Sequence, residues 1–281
     1  MRTKSASTRK PAISPTKLST YLECAVKYRY IYIDKIGRFY MKSRAAFSFG
    51  STLHQVLQQY HEPGAERSLT GMLSRFEEGW ISAGYTSAEQ EKEHQAAGEQ
   101  ILLAYHASAE ARQEELGPVE TIATERTISC DMGRFKLTGR VDRIDLHVDG
   151  TLEVVDYKSG RLTVTEEEVA ASLAMNCYQL ILSKMYPGAP VCATIYCLRS
   201  GESATARLTE EGLAEFERDI RDVADVILDM DWLETAPVRI EHCADCDFLS
   251  RCEGEWRRQE RARRLQEEPA EDEQGFSEFG L

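Results

Sequence analysis

Three charged residues lie at the ends of two apolar segments in the stretch GRVDRIDLHVDGTLEVVDYKSG, residues 139–160. Side chains alternate between the two faces of a strand, so Asp142 shares its face with the aliphatic residues at positions 144, 146 and 148. By the same alternation, Asp156 and Lys158 share a face with the aliphatic residues at positions 152 and 154. A strand that faced water would not combine an apolar face with charges at one end. The pattern therefore indicates two carboxylates and a lysine that are positioned for chemistry.

The turn between these two segments decides whether their acidic ends coincide. An Asp-Gly pair at 149–150 is a strong turn sequence between two strands. A two-residue loop there would pair Asp142 with Tyr157 and leave the two acids on opposite faces. A three-residue loop over 148–150 pairs Asp142 with Asp156, and its glycine supplies the left-handed residue that this loop requires. The longer loop also merges the two apolar faces, so we favour it.

Such pairing would place the Cβ atoms of Asp142 and Asp156, and hence their carboxylates, close together, with the Cβ atoms about 5 Å apart. Two half-buried anions at that separation repel each other unless a cation lies between them. Oxygen ligands favour Mg²⁺ or Mn²⁺, and Lys158 would point to the same place. The hairpin is therefore predicted to hold a divalent metal.

A plainer alternative remains open for the same hairpin. Its acids could be charges that only pair with the nearby Arg140, Arg143 and Lys158. Asp145 fits that alternative, because it falls on the opposite face and is predicted to be surface charge.

The motif Gly139-x-x-Asp142, followed by Asp156-Tyr157-Lys158 at the end of the next strand, resembles the core of the PD-(D/E)XK nucleases. The similarity is greatest to the RecB-like branch. It implies an α/β fold with a restriction-endonuclease-like core, in which helices flank a mixed central sheet. It also implies metal-dependent hydrolysis of DNA phosphodiester bonds, with Lys158 orienting the attacking water or stabilising the transition state.

The resemblance also implies residues outside the hairpin. A lone histidine is more often structural, but the segment from Phe49 to His54 matches the helix on which this branch places a histidine ligand. His54, the two acids and the Tyr157 carbonyl would then hold the metal. The branch has Gln-x-x-x-Tyr on the helix after the hairpin. Gln179 fits as a DNA-binding residue, although Ser183 stands where the tyrosine is expected.

A second ligand set is predicted from cysteines in a polar context. Cys243-x-x-Cys246, followed after five residues by Cys252, has the spacing of a metal site, and a closed site needs a fourth ligand, for which Cys24 is the candidate. The arrangement resembles the iron–sulfur nucleases, which include the AddB nuclease domain, exonuclease V and CRISPR-adaptation nucleases. That resemblance implies a 4Fe–4S cluster, with zinc as the alternative. The remaining cysteines are predicted to be buried thiols: Cys130, Cys177, Cys192 and Cys197.

These residues must be positioned by a sheet and its helices. Ser14 and Pro15 predict a helix start, a second helix is predicted from about Ser51, and a capping box at Thr165 predicts a helix that runs to about Tyr186. A further helix is predicted from Thr209 to Met230. Strands are predicted at 119–129, 134–148, 152–158 and 191–198.

The domain prediction is a disordered segment at 1–13, a single nuclease domain at 14–265 and an acidic disordered tail at 266–281. A helical insertion is predicted within the domain at about 62–116. The tail carries six acids and no base, and it could bind a protein partner. It follows a segment with six arginines between positions 251 and 264.

The composition limits the functional classes. The 281 residues carry a net charge of −13, which argues against a general nucleic-acid binder but leaves room for local DNA contacts. No apolar run approaches the roughly 18 residues of a membrane span, and the basic N-terminus lacks a signal-peptide core, so a cytoplasmic protein is expected. DNA, as single strands or ends, is the expected partner. Alternatives are a non-catalytic DNA-end-binding subunit and a nuclease with a helicase or recombination partner, since the chain has no P-loop motif of its own.

Overall fold

The computed structural model describes residues 10–116 and 119–267, and these divide into two units. The first unit contains the residues up to Cys24 and Lys42–Met230. The second contains Ala25–Met41 and the residues from Asp231 onward. The predicted catalytic residues all belong to the first unit.

Among the described residues, one mixed sheet contains six strands, and it lies in the first unit. The strands are β1 (Ala12–Ile13), β2 (Glu120–Asp131), β3 (Lys136–Leu146), β4 (Leu152–Lys158), β5 (Val191–Cys197) and β6 (Ser203–Ala206). The order is β1-β3-β4-β5-β6, and β2 pairs with β3. The β1–β3 and β4–β5 pairs are parallel and the others are antiparallel. The predicted α/β fold with a mixed sheet is confirmed.

Helices surround the sheet in the first unit. In chain order the α-helices of both units are α1 (Pro15–Glu23), α2 (Ala25–Tyr28), α3 (Gly37–Tyr40), α4 (Ala45–His61), α5 (Leu69–Glu78), α6 (Ala88–Leu116), α7 (Glu166–Ala170), α8 (Leu173–Met185), α9 (Glu210–Asp229) and α10 (Leu249–Glu267). Helices α2, α3 and α10 belong to the second unit. None of the described helices combines the length and hydropathy that crossing a membrane would require.

Side-chain caps fix several helix starts. Ser14 accepts a hydrogen bond from the Lys17 amide with Pro15 in the first turn, as predicted. The capping box at Thr165 is present, but the helix that it begins ends at Ala170. Ser172 then caps a separate helix, α8, so the single helix predicted up to Tyr186 is wrong.

Other boundaries also differ from the predictions. The segment 1–13 was predicted to be disordered, yet Ala12 and Ile13 form β1 and pair with β3, because its backbone edge is open there. Residues 1–9 and most of the predicted acidic tail lie outside the described residues. Helix α4 begins at Ala45, before the predicted start at Ser51, and the short strand β6 was not predicted.

The hairpin register follows the three-residue loop. Leu146 pairs with Leu152 and Ile144 with Val154, as predicted. The His147 amide bonds the Thr151 carbonyl at 2.9 Å, which leaves 148–150 as the loop. Gly150 has φ +83°, the left-handed conformation that the loop needs. Nothing lies within 4 Å of where a Cβ would be added there, so conformation alone explains this glycine.

A buried hydrophobic core joins the predicted helical segment to the sheet. It contains side chains from α4, α5 and α6 together with Val155, Tyr157, Tyr196 and Leu198 from β4, β5 and the residue after it. Helix α8 contacts β2, β3, β4 and β5. The strands that carry the predicted metal ligands are therefore fixed by packing.

Aromatic side chains hold the second unit together. A π-helical turn at Arg29–Ile33 places Tyr30 against Phe248, with ring centroids 5.4 Å apart. The Trp256 indole donates to the Pro237 carbonyl at 2.7 Å, and Arg29 donates to the Thr235 carbonyl at 3.0 Å.

Candidate active site

Strands β3 and β4 separate where the predicted acids stand. Their last pair toward this end is Arg143 with Val155, so the continuing register places Asp142 opposite Asp156. The Asp142 carboxylate then accepts a hydrogen bond from the Tyr157 amide at 2.7 Å. The backbone pairing of β3 with β4 ends before this amide, and the Asp142 side chain accepts its hydrogen bond instead. One candidate ligand is thus fixed by the backbone of the next strand.

Helix α4 brings His54 to the same place. Its Nδ1 lies 3.3 Å from Asp142 Oδ1 and 3.6 Å from Glu125 Oε1, and its Nε2 lies 3.1 Å from the Tyr157 carbonyl oxygen. Gly50, one turn earlier, allows this approach: a Cβ there would stand 2.9 Å from Ser159 Oγ. The predicted residues His54, Asp142 and Tyr157 are therefore in contact.

Asp156 and Lys158 complete the group, as their strand position requires. Lys158 Nζ lies 2.6 Å from Asp156 Oδ2, and the lysine side chain is 42% exposed. Burial raises the pKa of Asp156 and the neighbouring Asp142 carboxylate raises it further, while Lys158 opposes both effects. We call Glu125, Asp142 and Asp156, with His54 and Lys158, the acidic cluster.

Glu125 is a member that the sequence did not reveal. It lies on β2 between the pairs Thr124–Arg143 and Arg126–Val141, which is the position facing Asp142. Its φ is +43°, a conformation that non-glycine residues seldom adopt and that is often found at functional sites. Its side chain bonds Arg140 Nε at 2.6 Å. Neither the strand pattern nor the motif predicts an irregular backbone there.

The donor set fits a divalent cation. His54, Glu125 and Asp142 each offer a ligand atom, and these three atoms lie within 4.8 Å of one another. Burial disfavours the His54 cation, but hydrogen bonds to Asp142 and Glu125 outweigh it and raise the His54 pKa to about 10. The hydrogen bond to His54 lowers the pKa of Glu125. Without a metal, the proton on His54 therefore offsets the negative charge of the two carboxylates. A bound cation could offset the same charge.

The motif glycine has a packing role. A Cβ added to Gly139 would stand 2.5 Å from Tyr178 Cε1 and 2.8 Å from its Cδ1. The Tyr178 hydroxyl donates to the Arg140 carbonyl at 3.0 Å, which fixes the ring against β3. A glycine at 139 therefore lets α8 approach the strand that carries Asp142.

Asp145 corrects one prediction. It was expected to be surface charge, but it is only 4% exposed and lies 3.0 Å from Arg143 Nε. Thr121 also donates to it, at 2.9 Å. The alternation of the strand was correct, but the opposite face is covered rather than solvated. A pocket of about 420 Å³ opens on that side, lined by residues that include Arg143, Asp145 and Tyr196.

Gln179 has a different environment from the one predicted. Its side chain is 1% exposed, and its carbonyl oxygen accepts from the Leu208 amide at 3.0 Å. Its amide nitrogen has no hydrogen-bond partner among the described residues. The contact with DNA stays a prediction, and it would require this buried side chain to move.

The cysteines divide as their sequence context suggested. None of the eight, all of which are described, forms a disulfide. Cys24 follows α1, and its amide bonds the Thr20 carbonyl at 3.0 Å. In the second unit, Cys246 donates its amide to the Cys243 carbonyl at 3.2 Å, and Cys243 Sγ accepts from Ile240 at 3.4 Å. All four predicted ligands are partly exposed, and the remaining thiols are buried.

Comparison with known proteins identifies the family. The sequence profile of the PD-(D/E)XK nuclease superfamily matches residues 12–253, a range that contains every residue of the acidic cluster. The chain belongs to the PD-(D/E)XK nuclease superfamily. This membership implies a metal-dependent nuclease, and the acidic cluster of the PD-(D/E)XK fold supplies a candidate metal site.

Other comparisons add little to this assignment. No curated protein matches the chain. A solved structure described as "Crystal structure of SSO0001" is 15% identical, with a TM-score of 0.28, and the match covers 72% of this chain and 92% of that one. Such a TM-score does not establish a shared fold, so the superfamily assignment depends on the sequence profile and the acidic cluster.

Proposed function

We propose that this PD-(D/E)XK protein is a deoxyribonuclease that hydrolyses phosphodiester bonds at DNA ends or in single strands, as an exonuclease. The observation that carries the proposal is the meeting of Asp142, Asp156 and Lys158 with His54 at the point where β3 and β4 separate. His54, Glu125 and Asp142 each offer a ligand atom within 4.8 Å of the other two, and Asp156 pairs with a lysine that is partly exposed.

The acidic cluster would hold Mg²⁺ or Mn²⁺. We assign His54, Asp142, Asp156 and the Tyr157 carbonyl as ligands, and we add Glu125 because its carboxylate reaches the same histidine. When bound, the metal would lower the pKa of a water and neutralise charge on the scissile phosphate. His54 must give up one of its ring protons to become a ligand, and the hydrogen bond made by that proton is lost at the same time.

Lys158 is proposed as the catalytic cation. Its ammonium group is paired with Asp156, and the side chain is 42% exposed, so Lys158 lies at the boundary between the buried acids and solvent. From there it can orient the attacking water by donating a hydrogen bond. It can also stabilise the extra negative charge that develops on the phosphate oxygens in the transition state.

We further propose that Cys24, Cys243, Cys246 and Cys252 ligate a 4Fe–4S cluster, on the basis of their spacing and the family resemblance. Four partly exposed thiols suit a metal better than a packing role, since structural cysteines are usually buried. The Ile240 amide near Cys243 Sγ is the kind of donor that stabilises a metal-bound thiolate. Zinc would fit the same four thiolates.

The remaining expectations stay predictions. These are a helicase or recombination partner, a protein partner for the acidic tail and a cytoplasmic location.

The test is an assay of end-labelled single-stranded and double-stranded DNA with Mg²⁺ or Mn²⁺. We expect mononucleotides or short products from one strand end, and none in the presence of a chelator. Lys158→Ala is the control, and it should abolish cleavage while DNA binding remains. Cleavage of a circular single strand as fast as a linear one would contradict the requirement for ends. Equal activity of the Lys158→Ala variant would contradict the assigned site.

A further inference from the structure

A buried cluster of polar side chains lies behind the acidic cluster and is not part of it. Arg143 is 5% exposed, and its Nη1 lies 2.8 Å from His61 Nε2 and 2.8 Å from the Tyr105 hydroxyl. The same nitrogen lies 2.5 Å from the Tyr157 hydroxyl. Asp145 balances the charge from 3.0 Å. We call Arg143, His61, Tyr105, Tyr157 and Asp145 the arginine cluster.

The burial of Arg143 needs an explanation. Removing a guanidinium from water is costly, and replacing a buried ion pair with apolar residues often stabilises a fold. Apart from Asp145 on the same strand, the polar groups that contact Arg143 lie on three different elements: His61 on α4, Tyr105 on α6 and Tyr157 on β4. The cluster therefore fixes the relative positions of three elements more specifically than hydrophobic contacts would.

Tyr157 connects the arginine cluster to the acidic cluster. Its side chain points away from those of Asp156 and Lys158, its neighbours in the strand, as alternation requires. Its backbone contacts the acidic cluster: the amide donates to Asp142 at 2.7 Å, and the carbonyl oxygen lies 3.1 Å from His54 Nε2. The position of this one residue thus sets where two candidate ligands stand.

Helix α4 makes a second connection. His54 and His61 are seven residues apart, which is two helical turns, so they lie on the same side of the helix. His54 reaches the acidic cluster and His61 reaches Arg143 and the Tyr105 hydroxyl, at 2.6 Å. A shift or rotation of α4 would therefore disturb both clusters together.

We propose that Arg143, Tyr105 and the Tyr157 hydroxyl are positioning residues, which hold the Tyr157 backbone and α4 so that Asp142 and His54 meet at the metal site. They act through other groups and touch neither metal nor substrate. This inference builds on the proposed function, because it takes the acidic cluster to be the metal site.

The direct test is Tyr157→Phe. The substitution keeps the ring, the amide and the carbonyl, and it removes only the hydroxyl that bonds Arg143 and Tyr105. We expect the Mn²⁺ dissociation constant, measured by calorimetry without DNA, to rise about 10-fold, as is typical when a group that orients a ligand is lost. Tyr105→Phe should act in the same direction. The Mn²⁺ concentration for half-maximal cleavage should rise in parallel.

Tyr196→Phe is the matched control. Its hydroxyl bonds Ser108 Oγ at 2.8 Å, and its ring packs edge-on against Tyr157 with centroids 6.2 Å apart. The substitution therefore removes a hydroxyl from the same region but keeps the hydrogen bond between Arg143 and the Tyr157 hydroxyl. We expect a similar loss of thermal stability and an unchanged Mn²⁺ dissociation constant. Arg143→Lys, which keeps the charge but not the geometry, should weaken Mn²⁺ binding at least as much as Tyr157→Phe.

The outcomes separate the two proposals. Equal Mn²⁺ affinity in wild type, Tyr157→Phe and Tyr196→Phe would overturn the positioning role even if the wild type cleaves DNA. Equal weakening in both variants would also overturn it, because general destabilisation would then be sufficient. A wild type that binds Mn²⁺ but cleaves no DNA would contradict the proposed function, and the binding comparison would still decide the positioning role. If Tyr157→Phe unfolds, Tyr105→Phe takes its place in this comparison.

Discussion

The acidic cluster and the segment 243–252 hold their candidate ligands in different ways. In the acidic cluster, Asp142 is bonded to the backbone of β4 and His54 lies between two carboxylates and a carbonyl. In segment 243–252, the cysteines are partly exposed: Cys243 and Cys246 lie in short turns, and Cys252 lies in the first turn of α10. Among the described residues, Cys243, Cys246 and Cys252 do not form a group whose sulfurs all lie within 4.8 Å of one another.

This difference suggests that the fold depends on its metal in different ways at the two candidate sites. Ligands that the sheet already positions can bind and release a metal without unfolding, which suits catalysis. Ligands on turns depend on the metal for their arrangement, so that the metal contributes to folding. Removal of the metal should therefore stop cleavage in the first case and destabilise the fold in the second.

Loss of an acid from the acidic cluster should have the largest effect on cleavage. We expect Asp142→Asn and Asp156→Asn to lower kcat by about 1000-fold or more, because several kcal/mol of metal-dependent stabilisation is lost. The folded state should survive, since the asparagine at 142 can still accept the Tyr157 amide. Kinetics and thermal unfolding measure the two effects. A variant with near wild-type kcat would remove that residue from the site.

Loss of a predicted cluster ligand should instead act on the fold. Substitution of Cys24, Cys243, Cys246 or Cys252 by alanine should remove iron and colour and cause aggregation, because the cluster would close a loop of more than 200 residues. Iron analysis and visible absorption on anaerobically purified protein measure this. Cys197→Ala, which alters a buried thiol, is the control and should keep its colour.

Metal analysis of the wild type tests whether the four-cysteine site holds iron or zinc. One zinc and no iron in the wild type would overturn the iron–sulfur cluster but keep a four-cysteine site. Full iron content in a Cys24→Ala variant would remove Cys24 from the ligand set and leave three cysteines of the second unit.

Glu125→Gln tests the residue that the motif did not predict. The change removes one carboxylate charge but keeps a hydrogen-bond acceptor for Arg140 and His54. We expect the Mn²⁺ concentration for half-maximal cleavage to rise about 10-fold with a smaller change in kcat, since one of several ligands is weakened. Glu120→Gln, on the same strand but exposed, is the matched control. Equal behaviour of the two variants would make Glu125 a structural partner of Arg140.

The pH dependence of metal binding should be the smallest and most specific effect. The His54 pKa is raised to about 10, so the metal-free site keeps this proton at neutral pH and must release it to bind the metal. Mn²⁺ affinity should therefore rise by up to about tenfold between pH 7 and pH 8. His54→Gln should bind more weakly with a flatter profile. An equally steep profile in that variant would place the released proton elsewhere.

In the metal-free protein, the contribution of His54 to fold stability should fall as the pH rises, which is the opposite of the trend in metal affinity. Because the folded-state pKa is above the ordinary value of 6.5, protonated His54 stabilises the fold fully below that value. The stabilisation is lost as the pH rises through about 10. Metal-free His54→Gln protein should thus be less stable than wild type at pH 6, with the difference shrinking at high pH.

The sequence predicted the register of the hairpin formed by β3 and β4 because two independent restraints agree there. Gly150 selects the loop length, and the apolar faces merge only in that register. The caps at Ser14 and Thr165 were predictable for similarly local reasons, whereas the α/β class followed from the family resemblance. Alternation also placed Asp145 opposite Asp142 correctly.

Other features depend on contacts that no local pattern encodes. Glu125 needs a positive φ on a strand, and Asp145 is buried because α4 and α6 cover a face that alternation alone leaves open. The break before Ser172 follows from a second cap that competes with helix continuation. β1 exists only because β3 offers it a backbone edge. These are tertiary effects, which override local preference.

The most direct test of the central claim is a crystal structure with Mn²⁺ bound, measured at a wavelength where manganese scatters anomalously. We expect a manganese peak at coordination distance from carboxylate oxygens of Asp142 and Asp156, with a His54 ring nitrogen binding the metal in place of a proton. Lys158 should lie beside the metal-bound water. A manganese peak at exposed carboxylates elsewhere, with the acidic cluster still holding only its histidine and lysine partners, would contradict it.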